Sequence, residues 1–238
     1  MLEDISTRWP MIHDPAQFVL RYAPAIEAYL MALVHDADKV DEIRQDFLLR
    51  VLQKGIVPPT ELKGRFRHYL KVAVRNAAIS HLRRKSPHQA EPEALAQLAA
   101  EEDVPPLEKE WTERWRRCIL DRVWEALEMH ERKTPDNHAC TVLRTYVEHH
   151  QVEDSDAMAQ RAAERLKKPV RAEAFRKQLS RARRLFAKLL IQEVVQTLED
   201  PSPPRVEEEL VDVGLLADVL PYLPEDWRTQ LVSKPEEA

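Results

Sequence analysis

From Lys63 to Lys85 the chain carries Lys63, Arg65, Arg67, Lys71, Arg75, Arg83, Arg84 and Lys85, and not one carboxylate. Cations clustered without intervening acids suit a polyanionic partner, because each phosphate they neutralise releases condensed counterions. The whole chain is acidic, with a formal net charge of −5 over 238 residues, so the block is local and not a bias of composition. A second concentration of positive charge, Arg176, Lys177, Arg181, Arg183 and Arg184 with Ser180 among them, lies far along the chain. Arginine can read guanine edges through two hydrogen bonds, while lysine and serine can contact phosphates or bases.

Other chemistries are poorly represented. The chain contains no G-x-x-x-x-G-K-[ST], H-E-x-x-H or G-x-S-x-G, and no catalytic constellation is expected. His138, His149 and His150 read as surface histidines, and Trp111 and Trp115, at helical spacing, as core. Cys118 and Cys140 are the only cysteines and form no C-x-x-C, which argues for buried reduced thiols and against zinc or a disulfide framework. No cofactor is expected. The opening MLEDISTRWP lacks the basic and apolar regions of a targeting segment, and no apolar run approaches membrane length. The expected location is cytoplasmic, with no membrane partner.

Helices must position these cations. Only three glycines, Gly55, Gly64 and Gly214, punctuate a chain rich in Ala, Leu, Glu, Arg, Lys and Gln, the helix-forming set, and the expected class is all-α. Seven of the 17 prolines cluster, at Pro58-Pro59, Pro105-Pro106 and Pro201 with Pro203-Pro204, where they mark breaks. Asp14-Pro15 reads as N-cap and first turn of a helix reaching about Val34. A second helix is expected over about Asp38 to Lys54, a loop over Gly55 to Thr60, and a long third helix from about Glu61 to Arg84. Ser86-Pro87 ends it, because a residue before proline is pushed out of helical geometry. Residues 88–106 are acidic, contain no aromatic residue and read as a flexible linker. Leu107, Trp111, Trp115, Ile119, Val123 and Leu127 then recur every four residues, marking an amphipathic helix. Further helices are expected at about His138 to His149, Ser155 to Leu166 and Val170 to Leu198, followed by an amphipathic piece from Val206 to Leu220.

On a wheel of about 100° per residue, Leu62, Tyr69, Leu70, Ala73 and Ala77 fall within about 60° of Phe66 and form the expected core stripe of the third helix. Arg67, Lys71, Arg75 and His68 fall between about 100° and 200°, and Arg65, Asn76 and Arg83 near about 260–280°. A solvated helix ordinarily mixes signs to gain i,i+4 ion pairs. From Lys63 onward this one has no acid to pair with, so its cations are assigned to nucleic acid.

The second helix carries a core stripe, Val40, Ile43, Phe47 and Val51, and opposite it Leu48, Leu49 and Leu52 among Asp41, Glu42 and Gln45. One stripe suffices for an internal core, so the other either docks a partner or is buried in a three-helix bundle. Near the C-terminal end, Phe175, Leu179, Ala182, Phe186 and Leu189 align within about 40° of one line, with the second basic group on the opposite arc. With the short helix and turn before it, this is the pattern of a helix-turn-helix, whose second helix enters the major groove. Two nucleic-acid faces joined by a linker reinforce each other through effective concentration.

These residues resemble the extracytoplasmic-function (ECF) sigma factors of bacterial RNA polymerase, over about Phe18 to Leu190. Asp38 to Leu52 is similar to the family's D-x-x-D-x-x-Q-[ED]-x-F-x-R-x-L stretch, and Arg65 to Arg84 follows R-F-R-x-[WY]-L-x-x-x-A-R-N-x-x-x-[DH]-x-L-R-R almost position for position. The resemblance implies that Asp41, Glu42, Gln45, Asp46, Leu48 and Leu49 bind core RNA polymerase. It implies that Lys63, Arg65, Arg67, Lys71, Arg75, Asn76, Arg83 and Arg84 meet the melted non-template strand of the minus-ten element, with Asn76 at the wall of a pocket for a flipped base. Arg176, Lys177, Ser180, Arg181 and Arg184 would read minus-thirty-five duplex DNA. The domains expected are residues 1–87 and 107–190, joined by 88–106 and followed by an extension over 191–238. That extension either packs on the second domain or binds a regulator, and an anti-sigma factor is a candidate partner. The family's L-G-[IV]-S turn is replaced by Leu166-Lys167-Lys168-Pro169-Val170-Arg171, longer by about two residues and without glycine. The alternative is a helix-turn-helix regulator that never binds polymerase. Such regulators are mostly dimers on paired half-sites, and the chain shows no heptad seam.

Overall fold

The computed structural model describes residues 15–55, 65–85, 105–134, 136–198 and 201–232. The class is all-α: among the described residues the only β pairing is an isolated antiparallel bridge between Arg65 and Leu198. The chain divides into two compact units, Met1–Cys118 with Val195–Pro201, and Ile119–Val194 with Ser202–Ala238.

In the first unit, helix α1 (Pro15–Val34) buries Phe18, Tyr22, Ile26, Tyr29, Leu30 and Leu33, a row at helical spacing that forms one wall of the core. His35, at φ 56°, turns the chain. The carboxylate of Asp36 then accepts the Lys39 N–H at 3.1 Å and caps α2 (Ala37–Lys54), satisfying one of the donors that a helix start leaves orphaned. Gly55, at φ 70°, closes α2 by donating its N–H to Val51 O at 2.8 Å, a backbone position that suits glycine. Helix α3 (Phe66–Lys85) packs on both. Asp14, residues 56–64 with Leu62 and Lys63, Ser86-Pro87, and the linker expectation over 88–104 lie outside the described residues.

The unit boundary falls inside helix α4 (Pro105–Lys133), not at residue 107, and Pro105-Pro106 open this helix instead of ending a linker. Aromatic packing accounts for it. Trp111 and Trp115 are fully buried. Trp115 stacks on Tyr22 with centroids 4.9 Å apart and planes 7° apart, and Trp111 meets Tyr29 edge-on at 5.3 Å. Aromatic contacts of this kind add to the burial of large apolar area. The first turns of α4 therefore complete the core that α1 and α3 begin.

In the second unit, the rest of α4 joins α5 (Ala139–His149), α6 (Ser155–Leu166) and α7 (Ala172–Val195). Leu127, Val142, Leu143, Met158, Ala162, Phe175, Leu179 and Ala182 form its core. Glu131 ties α4 to α5 by accepting both the Thr141 N–H at 2.9 Å and the Thr141 hydroxyl at 2.6 Å. Cys118 and Cys140 are buried and unbridged. In the extension, α8 (Pro203–Asp212) is followed by α9 (Leu216–Val219), a 3-10 turn (Leu220–Tyr222) and α10 (Trp227–Val232). Of the apolar residues expected on one stripe of this extension, Val206, Leu210 and Val213 are buried, whereas Ala217 and Leu220 are exposed; Val219 is buried instead.

Candidate nucleic-acid interface

Helix α3 is rotated relative to the expected core stripe. Its buried residues, Phe66, Arg67, Leu70, Val74, Arg75, Ala77, Ala78, Ile79 and His81, span the arc from about 0° to 220° on the same wheel. Tyr69 and Ala73, expected in the core, are only half-buried. Arg67 is 3 % exposed and donates to the Thr112 hydroxyl at 3.2 Å. Lys71 pairs with the Glu108 carboxylate, and Arg75 is 8 % exposed. These three cations were assigned to DNA, and here they are turned into the unit. The acid that meets Lys71, Glu108, comes from α4, which an argument limited to i,i+4 neighbours does not reach. Loss of water around His68 and the charges of Arg67 and Arg65 push its imidazole below the ordinary histidine range, against the opposing Glu108. Asn76, Arg83 and Arg84 are exposed and Arg65 is half-buried.

A cavity of ≈ 280 Å³ opens between α2 and α3, lined among others by Phe47, Arg50, Lys54, Tyr69, Asn76 and Ser80. Asn76 thus stands at the wall of a pocket. Arg50, which donates its Nε–H to the Asp46 carbonyl at 3.1 Å, and Lys54 supply positive charge at its rim. Burial raises the Tyr69 phenol above its ordinary range, so it stays a protonated donor at neutral pH. Two aromatic walls, an amide and two cations can stack a planar base and hold its phosphate. Arg50, Lys54, Tyr69 and Ser80 were not assigned from sequence. The i,i+4 spacing of Arg50 and Lys54 was the available signal.

On α2, Val40, Ile43, Phe47 and Val51 are buried, whereas Leu49 and Leu52 are 53 % and 48 % exposed. The helix therefore buries one stripe and leaves the other open, with Leu48 half-buried between them. Asp41 accepts from Arg44 at 2.5 Å and from Gln45 at 2.6 Å. The buried His81 ring lies 3.1 Å from Asp46 and 3.3 Å from Glu42, with Arg84 at 3.8 Å from Asp46. One imidazole of α3 thus orients two of the carboxylates on the open side of α2.

In the second unit, Asp154 caps α6 by accepting the N–H groups of Asp156 and Ala157 at 3.1 and 2.9 Å. The Arg161 guanidinium, hydrogen-bonded to Glu153, holds that carboxyl below its usual range. Helix α6 ends on Lys167 in the left-handed region, φ 52° and ψ 33°. Lys167 N–H donates to Glu164 O at 3.3 Å and Lys168 N–H to Ala163 O at 3.2 Å. This is a Schellman closure with lysine where glycine is usual. Across the turn, α7 sends Phe175, Leu179 and Ala182 into the core, with Phe186 and Leu189 packed against it. Arg176, Lys177, Ser180, Arg181 and Arg184 are all exposed.

These exposed cations differ from the rest of the unit in their pairing. Arg122, Arg132, Arg165 and Arg228 meet Glu125, Glu128, Glu148 and Glu207 at 2.7, 2.6, 2.5 and 3.0 Å. On the front of α7, Lys177 pairs with Glu173 at 2.7 Å. Arg176, Arg181 and Arg184 have no carboxylate partner among the described residues. Arg183, expected on the same front, instead lies 4.1 Å from the Tyr146 ring centroid and 5.3 Å from that of Tyr222, a cation between two aromatic faces. No helix among the described residues is long and apolar enough to cross a membrane. Comparison with known proteins found no matching family model, no matching curated protein and no matching solved structure.

Proposed function

We propose that the chain is a promoter-recognition subunit of bacterial RNA polymerase, of the extracytoplasmic-function sigma type. The observation that carries the reading is the front of α7, where Arg176, Arg181 and Arg184 stand exposed and have no carboxylate partner among the described residues, behind a preceding helix and turn. In this reading α6–turn–α7 is a helix-turn-helix, with α7 in the major groove upstream of the start site. The open Leu49–Leu52 side of α2, with Asp41, Glu42, Gln45 and Asp46, takes the polymerase. The cavity beside Asn76 takes an unstacked base of the melted strand, whose extraction costs a few kcal/mol. Positive charge for that strand comes from Arg50, Lys54, Arg83 and Arg84, not from Arg67, Lys71 and Arg75.

The burial of those three cations favours a second reading, a helix-turn-helix regulator that works without polymerase, because it removes part of the charge a melted strand would meet. The half-exposed leucines on α2 speak against it, since a regulator needs no such face. Transcription reconstituted from core polymerase, the full chain and pooled genomic fragments tests the choice. Promoter-specific transcripts that require the chain support the sigma reading. Duplex binding without any capture of core polymerase selects the regulator, and neither activity refutes both.

A further inference from the structure

We propose that the turn between α6 and α7 is a phosphate clamp, in which Lys167, Lys168 and Arg171 hold the backbone of duplex DNA beside α7. The inference rests on the helix-turn-helix reading above and adds residues that the reading did not include. All three side chains are exposed, and none has a carboxylate partner among the described residues. No acid lies between Glu164 and Glu173. The turn is also held firmly. The Lys167 and Lys168 N–H groups are consumed in closing α6, the Arg171 carbonyl accepts the Phe175 N–H at 2.9 Å, and Val170 packs against the core of the unit. Pro169 fixes its own φ and brings no donor. With those groups committed, the three cationic side chains are presented to a partner from a fixed frame. Where a second helix enters a groove and the first crosses the backbone, the turn between them lies over phosphates. Contacts there fix position and add affinity without reading sequence.

The consequence is a steeper salt dependence than α7 alone would give. Each phosphate contact contributes about 0.9 to the slope of log K against log salt, so three contribute about 2.7. Between about 50 and 200 mM salt, the parent should lose about 40-fold more affinity than a variant without the clamp. The test uses the full chain, a mixed-sequence duplex of about 30 base pairs and fluorescence anisotropy across that salt range. The variant is Lys167→Asn, Lys168→Ser, Arg171→Ser, in which asparagine keeps the left-handed turn. The control, Lys109→Ser, Arg205→Ser, Arg228→Ser, removes equal charge elsewhere. The clamp predicts a slope lower by about 2.7 in the variant and unchanged in the control. A slope equal to the parent's, or an equal fall in the control, overturns the clamp while leaving helix-turn-helix binding intact. A parent that binds no duplex at all refutes the underlying reading and the clamp with it.

Discussion

The rotation of α3 turns a question about charge into one about stability, and Arg67→Ala decides it. Arg67 is 3 % exposed and donates to Thr112 from inside the first unit. Truncation removes a charge-assisted hydrogen bond worth about 1.5–3 kcal/mol and the packing of the aliphatic stem, for about 2–4 kcal/mol in all. At about 2–4 °C per kcal/mol for a chain of this size, Tm should fall by about 5–15 °C. Tryptophan fluorescence reports the transition, because Trp111 and Trp115 are buried in the same unit. Arg181→Ala is the counterpart. It removes an exposed side chain from α7, so stability should change by no more than about 0.5 kcal/mol, while duplex affinity falls about 5- to 150-fold if the arginine reads a base. The two variants are measured side by side, by thermal melting and by anisotropy on the same duplex. An Arg67→Ala protein that melts like the parent but binds DNA more weakly would refute the rotated helix. It would restore Arg67, Lys71 and Arg75 to an outward nucleic-acid face.

The left-handed Lys167 carries about 1–2 kcal/mol of backbone strain. Lys167→Gly relieves it, against about 0.4–1 kcal/mol of added freedom in the unfolded chain, so Tm should rise slightly, whereas Lys167→Val should lower it. His81→Ala strips Asp46 and Glu42 of a shared partner. Denaturant melts should show a loss of about 1–3 kcal/mol, and pull-down should show weaker capture of core polymerase, which His81→Gln partly restores. The depressed His68 imidazole gives a pH dependence of known sign. The unfolded chain takes up this proton more readily than the folded one, so the stabilisation is complete above the ordinary histidine value and is lost as pH falls through the folded one. Melts between about pH 7.5 and 5.5 should show that loss, and His68→Gln should flatten it.

The features legible in the sequence are those decided within a few residues. Pro15, Gly55 and Pro203 mark helix ends because caps and breaks act locally, and α1, α2, α5 and α6 begin or end within a residue or two of their expected limits. Helix α7 was readable for a further reason: Phe175, Leu179 and Ala182 on one side and Arg176, Ser180 and Arg181 on the other specify the same orientation. In α3 those two signals conflict. Its apolar residues cover so wide an arc that they define no single inward direction, and arginine ordinarily marks the outside. Turning Arg67 and Lys71 inward requires partners, and Thr112 and Glu108 stand far along the chain, on a helix whose four-residue row gives no sign of where one unit ends. The same conflict identifies the useful experiment. A helix with basic residues on its buried side has its charge used twice over in any sequence-based account, once for the core and once for DNA. On α7, Arg176, Arg181 and Arg184 have no carboxylate partner among the described residues, so their charge is available to a ligand, and this is why the proposed function is tested first there.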